Sequence, residues 1–187
     1  MTSLAFACCG SFCTLSKALD QMELLAADYS ILPVFSQNVC TTDTRFGPAA
    51  DFLARAEAIA GRPVARTLPE VEPLGPRRLV DALVVCPCTG NTLSKIALGL
   101  TDGPVPLAVK SCLRAGLPVV ICLASNDSLA AVGPNLTRLL NTKHLYFVPL
   151  GQDDPQTKPT SLVADFAQLP ATLTAALQGR QLQPLLL

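Results

Sequence analysis

The sequence predicts an α/β fold, an open parallel sheet with helices on both faces, and three observations carry that prediction. Continuous apolar runs alternate with amphipathic stretches, as strands buried on both faces by crossover helices require. Each run ends in small polar residues, such as Gly10-Ser11, Ser36-Gln37-Asn38 or Ser125-Asn126-Asp127, which stop a strand and hand the chain to a helix. The 187 residues are half apolar, a length and composition that one hydrophobic core serves, so residues 1–187 are expected to form a single domain.

In chain order, the apolar run Leu4 to Cys9 predicts the first strand, and the amphipathic stretch Thr14 to Ala27 the first helix. Ile31 to Phe35 follows as a strand, then a helix over Pro48 to Ala60. Ala82 to Cys86 is the next strand, with helices over Asn91 to Gly99 and Pro106 to Ala115. Val119 to Ala124 and Leu145 to Val148 complete the strands, and Pro134 to Asn141 and Pro170 to Gln178 the helices. This alternation implies right-handed βαβ crossovers with functional loops gathered at the carboxyl ends of the strands. The Pro-rich, charged stretch Gly61 to Arg78 is expected to be a surface excursion. GQDDPQTKPTS at Gly151 to Ser161 is long and polar enough to be a functional loop or a docking segment. The apolar tail Gln183 to Leu187 is expected to pack against something, a further protomer being the natural partner.

Only 15% of residues are charged and the formal net charge is zero, which argues against nucleic acid and anionic membranes as partners. No apolar run is long enough to span a bilayer, and MTSLAFACCG lacks the basic start and small-residue cleavage site of an export signal, so a cytoplasmic location is expected. Of the eight cysteines, Cys8, Cys9, Cys86, Cys112 and Cys122 lie in apolar segments, where a reduced thiol behaves as a small buried hydrophobe.

The segment VVCPCTGNTLSK at Val84 to Lys95 combines a C-x-C pair with a small-residue turn. One C-x-C, one histidine and no second cysteine pair leave a metal ligand set incomplete, so no metal is expected. Cys88, between a strand and a helix, is placed for a stabilised thiolate, but nothing in the sequence brings His144 to it as a base. An anion site fits better. Cys9-Gly10-Ser11, Ser36-Gln37-Asn38 and Cys88-Thr89-Gly90-Asn91-Thr92 each run from an apolar strand through small hydroxyl or amide residues toward a helix with free N–H groups. Gly10 lets backbone approach a phosphate, Ser11 adds a hydroxyl, and Thr89, Asn91 and Thr92 combine capping with donation. With no G-x-G-x-x-G after the first strand, a mononucleotide is the more natural guest than a dinucleotide. On the loop after the second strand, Arg45 stands among Thr41, Thr42 and Thr44, a grouping suited to a carboxylate, or to a pairing of Arg45 with a nearby acid. No catalytic residue is identified; Asp43 and Asp127 are candidate bases by location alone.

Gly10-Ser11, TTDTRFG at Thr41 to Gly47, TGNT at Thr89 to Thr92, NTK at Asn141 to Lys143, YFVPLGQDDP at Tyr146 to Pro155, SLVAD at Ser161 to Asp165 and QLQP at Gln181 to Pro184 together resemble the family of dipicolinate synthase B subunits. That family is itself similar to the wider flavoproteins that include the homo-oligomeric flavin-dependent cysteine decarboxylases. The resemblance covers nearly the whole chain. It implies a flavodoxin-like or Rossmann-like three-layer sandwich that binds FMN. The P-A-S-A-N-T flavin motif falls on Pro87 to Thr92, with Pro87, Asn91 and Thr92 matching outright. Gly10 and Ser11 match the first phosphate loop, and Ser36 the serine after the second strand. Ser125-Asn126 falls on the decarboxylases' P-x-M-N motif, without its proline and methionine, and their histidine after the second strand is missing, so flavin binding carries over better than decarboxylation. The implied activity is oxidation of a dihydro- or hydroxytetrahydrodipicolinate precursor to dipicolinate (pyridine-2,6-dicarboxylate) in the mother cell of a sporulating bacterium. The implied partners are the NAD(P)-binding dipicolinate synthase A subunit and further copies of the chain. The alternatives are a non-catalytic scaffold or regulator of that nicotinamide-binding partner and a flavin-dependent decarboxylase.

Overall fold

The computed structural model describes residues 2–187. Five strands, β1 (Thr2–Cys8), β2 (Tyr29–Phe35), β3 (Ala82–Cys88), β4 (Val119–Ser125) and β5 (Leu145–Phe147), run parallel in the order β2-β1-β3-β4-β5. This is the flavodoxin-like strand order, in which the winding reverses between β1 and β3. The loops leaving those two strands therefore part and open a crevice at their carboxyl ends. β3 and β4 are buried along their whole length, which is why their sequences are continuous apolar runs rather than alternating ones.

The helices are α1 (Phe12–Leu25), α2 (Gln37–Thr41), α3 (Ala49–Ala60), α4 (Leu68–Val71), α5 (Gly90–Leu98), α6 (Pro104–Arg114), α7 (Gly133–Leu140) and α8 (Leu169–Leu177). The six helices expected from periodicity are present, with ends displaced by two residues or fewer. On α1 the buried face is Leu15, Ala18, Leu19, Met22 and Leu25, the three-and-four spacing of a helix lying on a sheet. Thr89 caps α5 by accepting the Thr92 N–H at 3.2 Å, and Gly99, at φ 72°, ends it in the left-handed conformation.

Three expectations need correction. First, β3 continues through Pro87 to Cys88, two residues beyond the expected end, with a register shift against β4 between Val85 and Cys88. Second, two short strands were not expected. β7 (Leu162–Ala164) pairs antiparallel with Ala124 and Ser125, and β6 (Leu150–Gly151) pairs antiparallel with β7. Runs of two or three residues are too short to show alternation. Third, residues 61–78 seal the edge of the sheet rather than form a surface excursion. The Phe35 N–H donates to the Ala65 carbonyl at 3.0 Å and the Ala65 N–H to the Pro33 carbonyl at 2.9 Å. Val64, Val71 and Leu74 are buried, and Gly75 lies so close to α6 that a Cβ would sit 1.9 Å from the Ser111 carbonyl oxygen.

The apolar tail finds its first cover within the chain. The Leu150 N–H donates to the Leu185 carbonyl at 2.8 Å and the Leu187 N–H to the Leu150 carbonyl at 2.9 Å, and Leu185 packs on the core. The side chains of Leu186 and Leu187 stay exposed. Among the described residues no helix is long and apolar enough to cross a membrane.

Candidate functional site

Two adjoining cavities of about 550 and 630 Å³ lie over the carboxyl ends of the central strands. Gly10, Thr89 and Asn91 line both, so the two are arms of one cleft at the point where the winding reverses. The first arm reaches toward β2 and includes Ser36, Asn38, Arg66, Thr92 and Lys95. The second reaches toward β4 and β7 and includes Ser11, Arg45, Gly90, Ser125 and Asn126.

Backbone bonds fix the strand-end turns to one another. The Cys9 N–H donates to the Pro87 carbonyl at 3.1 Å, and the Ser36 N–H to the Cys8 carbonyl at 3.0 Å. In α5 the first intrahelical bond is from Leu93 to Thr89, at 2.9 Å, so the preceding amides of Gly90 and Asn91 are left for the cleft. In α1 the Thr14 N–H takes the Ser11 carbonyl at 3.1 Å, leaving the amides of Phe12 and Cys13 likewise. A Cβ on Gly90 would stand 2.5 Å from Ser125 Oγ and 3.1 Å from Asp127 Oδ1; glycine is what lets α5 start against the 125–127 turn.

The serines differ. Ser11 Oγ accepts a bond from Thr14 Oγ1 at 2.9 Å. Ser36 Oγ is buried and has no partner within the protein. A buried hydroxyl without a partner is costly unless a ligand supplies one, and this hydroxyl belongs to a residue lining the first arm.

The Thr41 to Gly47 loop is held by its own side chains. Thr41 Oγ1 donates to the Gln37 carbonyl at 3.0 Å, Thr44 Oγ1 accepts the Phe46 N–H at 3.2 Å, and Asp43 Oδ1 accepts the Ala49 N–H at 2.8 Å. Thr42 ends α2. Of Thr41, Thr42, Thr44 and Arg45, only Arg45 lines the second arm. Its guanidinium stands 4.9 Å from the centre of the Phe46 ring, and among the described residues no carboxylate lies within ion-pairing distance of it. Asp43 is thereby a turn residue, whereas Asp127 lines the second arm with Oδ1 accepting from Ser125 Oγ at 2.7 Å.

Sequence inspection missed Lys17, Arg66, Lys95, Asp153 and Lys158, all of which line one arm or the other. Four of them lie outside the small-residue turns, while Lys95, three residues past Thr92, stands on the helix that follows one, and only the prominence of the Gly151 to Ser161 stretch signalled two of them. That loop is fastened over the second arm. Thr160 Oγ1 donates to the Asn126 carbonyl at 2.7 Å, and the Leu129 N–H to the Thr160 carbonyl at 2.9 Å. Asp153 accepts from Ser161 Oγ at 2.7 Å and pairs with Lys158 at 3.1 Å, and the two hold its carboxyl below the usual range.

Pro87 is buried inside β3 and lies behind the cleft wall. Cys88 is buried too, and its hydrogen bond to Cys9, with burial, pushes its thiol well up, so it is a neutral core group and no stabilised thiolate. His144 precedes β5 at the amino end of that strand, where its carbonyl accepts the Val119 N–H at 2.8 Å. Cys88 closes the carboxyl end of β3, so the sheet separates them. Among the described residues no group of three His, Cys, Asp or Glu side chains is placed to hold a metal.

The family model described as Flavoprotein matches residues 4–156. The chain is also 41% identical over 184 residues, 98% of its length and 92% of the relative's, to the dipicolinate synthase B subunit of Bacillus subtilis (strain 168). The chain belongs to the flavoprotein family, among its dipicolinate synthase B subunits. A crystal structure of the dipicolinate synthase B subunit from Bacillus halodurans C superimposes with a TM-score of 0.91 at 42% identity, covering 100% of this chain and 96% of the other. An FMN-dependent cysteine decarboxylase, SpaF, shares the flavoprotein fold at a TM-score of 0.71 and 22% identity, covering 96% and 97%. The three-layer α/β sandwich is thus the architecture of the family.

Proposed function

We propose that this flavoprotein holds FMN in the cleft and, with a nicotinamide-binding partner protein, the synthase's A subunit, which engages NAD(P), oxidises a dihydro- or hydroxytetrahydrodipicolinate precursor to dipicolinate in the mother cell of a sporulating bacterium. The observation that carries the cofactor assignment is the unpartnered, buried Ser36 hydroxyl of the first arm. A phosphate satisfies it, with Arg66 as a nearby cation, and the Asn91 amide and Thr92 are placed to hold the rest of the group. Gly10, Ser11, Thr89, Ser125 and Asn126 complete the wall on which the ring would rest. The chemistry FMN would supply is acceptance of a hydride equivalent from the dihydro ring, which loses a proton and becomes aromatic; a hydroxytetrahydro precursor first loses water to reach that level.

The chain's own part is orientation and proton handling. Arg45 grips a substrate carboxylate with its planar fork, the Phe46 ring holding the guanidinium in place. The proton lost from the ring goes to Asp127, whose carboxylate is bonded to the Ser125 hydroxyl and has no cationic partner among the described residues, unlike Asp153. Thr41 and Thr44 act through the loop, the first by closing α2 and the second by shaping the turn that presents Arg45, and Thr42 serves as the end of α2 between them. Self-association fits the exposed Leu98 and Leu100 beside the groove between α5 and α6.

The deciding experiment is titration of the purified chain with FMN, followed by comparison of the isolated nicotinamide-binding partner with the assembled pair. Flavin absorbance retained on the chain, and turnover only from the pair, are expected. Equal rates from the isolated partner would assign the chain a scaffold role.

A further inference from the structure

Arg45 and Lys158 line the same second arm but arrive from opposite sides of the molecule. Arg45 comes from the loop that follows β2 and α2, at one edge of the sheet, and Lys158 from the connection between β6 and β7 at the other. The strand ends of β1, β3 and β4 lie between them. Lys17 on α1 lines the arm as well. The charged groups facing this cavity are Lys17, Arg45, Lys158, Asp127 and Asp153, three cations against two carboxylates. Asp153 is bonded to both Ser161 and Lys158, so its carboxylate keeps a partner when the ammonium turns toward a ligand.

We infer that Lys158 receives the second carboxylate of a dianionic substrate whose first carboxylate is gripped by Arg45, so that this cavity selects diacids over monoacids. This rests on the oxidation proposed above. The two cations differ in a way that suits their tasks. An arginine fork holds a carboxylate in one plane, whereas a lysine is a point charge on a flexible stem. A reduced ring carries one carboxylate on a tetrahedral carbon, and aromatisation brings it into the ring plane. The carboxylate that swings needs a donor that follows it; the Lys158 loop is anchored by the Thr160 contacts with Asn126 and Leu129, so its backbone stays in place when the exposed ammonium exchanges Asp153 for a ligand.

The test is calorimetric titration of the chain, with and without FMN, using pyridine-2,6-dicarboxylate and pyridine-2-carboxylate. The unaltered chain is expected to prefer the diacid by about tenfold or more, the range of one charge-assisted contact. Lys158→Gln is expected to reduce that preference to near unity while the monoacid and FMN affinities stay as they were, and Lys158→Arg to restore most of it. The side chain is exposed, so neither change threatens folding. A diacid preference that survives Lys158→Gln, an equal loss for both acids, or no preference in the unaltered chain overturns the inference. Failure of the chain to take up FMN, with the diacid preference intact, counts against the cofactor assignment alone.

Discussion

The two arms of the cleft share Gly10, Thr89 and Asn91 but are bounded by different kinds of structure. The first is walled by the end of β2, the starts of α5 and α6 and the 66–68 segment that follows the Ala65 bridge to β2, and its Lys95 is already neutralised by Asp102 at 2.9 Å. The second is lined by the starts of α1 and α5 and by three loops, residues 41–47, 125–127 and 152–160, and the loops bring four of its five charges. Framework elements keep their geometry while loops open and close at low free-energy cost. The difference suits a ligand that stays, in the first arm, and one that is exchanged at every turnover, in the second.

Asn91 belongs to both arms, so its replacement tests whether they work as one site. Asn91→Asp places a negative charge against two anionic ligands, and like charges at such contacts cost several kcal/mol; FMN affinity is expected to fall by roughly 100-fold or more, with diacid affinity falling too. Unchanged FMN absorbance on gel filtration would separate the cofactor from this turn. Gly90→Ala touches the second arm alone. Its Cβ would press on Ser125, Val132 and Asp127, an overpacking cost of about 1–3 kcal/mol, read as a melting temperature lower by roughly 2–4 °C per kcal/mol with diacid binding hit harder than FMN binding.

Ser36→Ala is the complementary change in the first arm. Because the hydroxyl has no partner within the protein, thermal stability should hold or rise while FMN affinity drops by about tenfold; a stability loss with FMN binding intact would make Ser36 structural. The smallest effect concerns the thiols. Cys13 is the exposed cysteine of the eight, and a disulfide reagent at pH 8 should label it fast and the buried ones only after unfolding. Cys112, pushed up to about 12 by burial, stays protonated there. Rapid labelling that survives replacement of both Cys13 and the half-buried Cys40 by serine would show that the strand ends open.

Much of this division was legible in the sequence because both arms rest on local chemistry. An apolar strand followed by Gly10-Ser11, Ser36 or Thr89 to Thr92 states its geometry within a few residues, and the structure brings Gly10, Ser36, Thr89, Asn91 and Thr92 to one cavity. What was illegible is long-range. Nothing near Lys158 in sequence announces that its loop reaches the 125–127 turn, because β6 and β7 are too short to be seen. Val64, Val71 and Leu74 are isolated apolar residues among prolines and arginines; Val64 is buried where Ala65 joins the edge of β2, and Val71 and Leu74 where α4 and the turn after it pack on α6. The TTDTRFG motif suggested four binding residues, yet the Thr41 hydroxyl bonds back into α2, the Thr44 hydroxyl holds the turn, and of the four only Arg45 lines the cavity.

The pairing of Leu185 and Leu187 with Leu150 has a bearing on how copies of the chain behave in solution. An open strand edge is a template for other chains, and here the last residues occupy the flank of β6, next to the loop that bears Lys158. The tail thus serves as a guard strip: the same short segment that keeps foreign strands away also steadies one wall of the second arm.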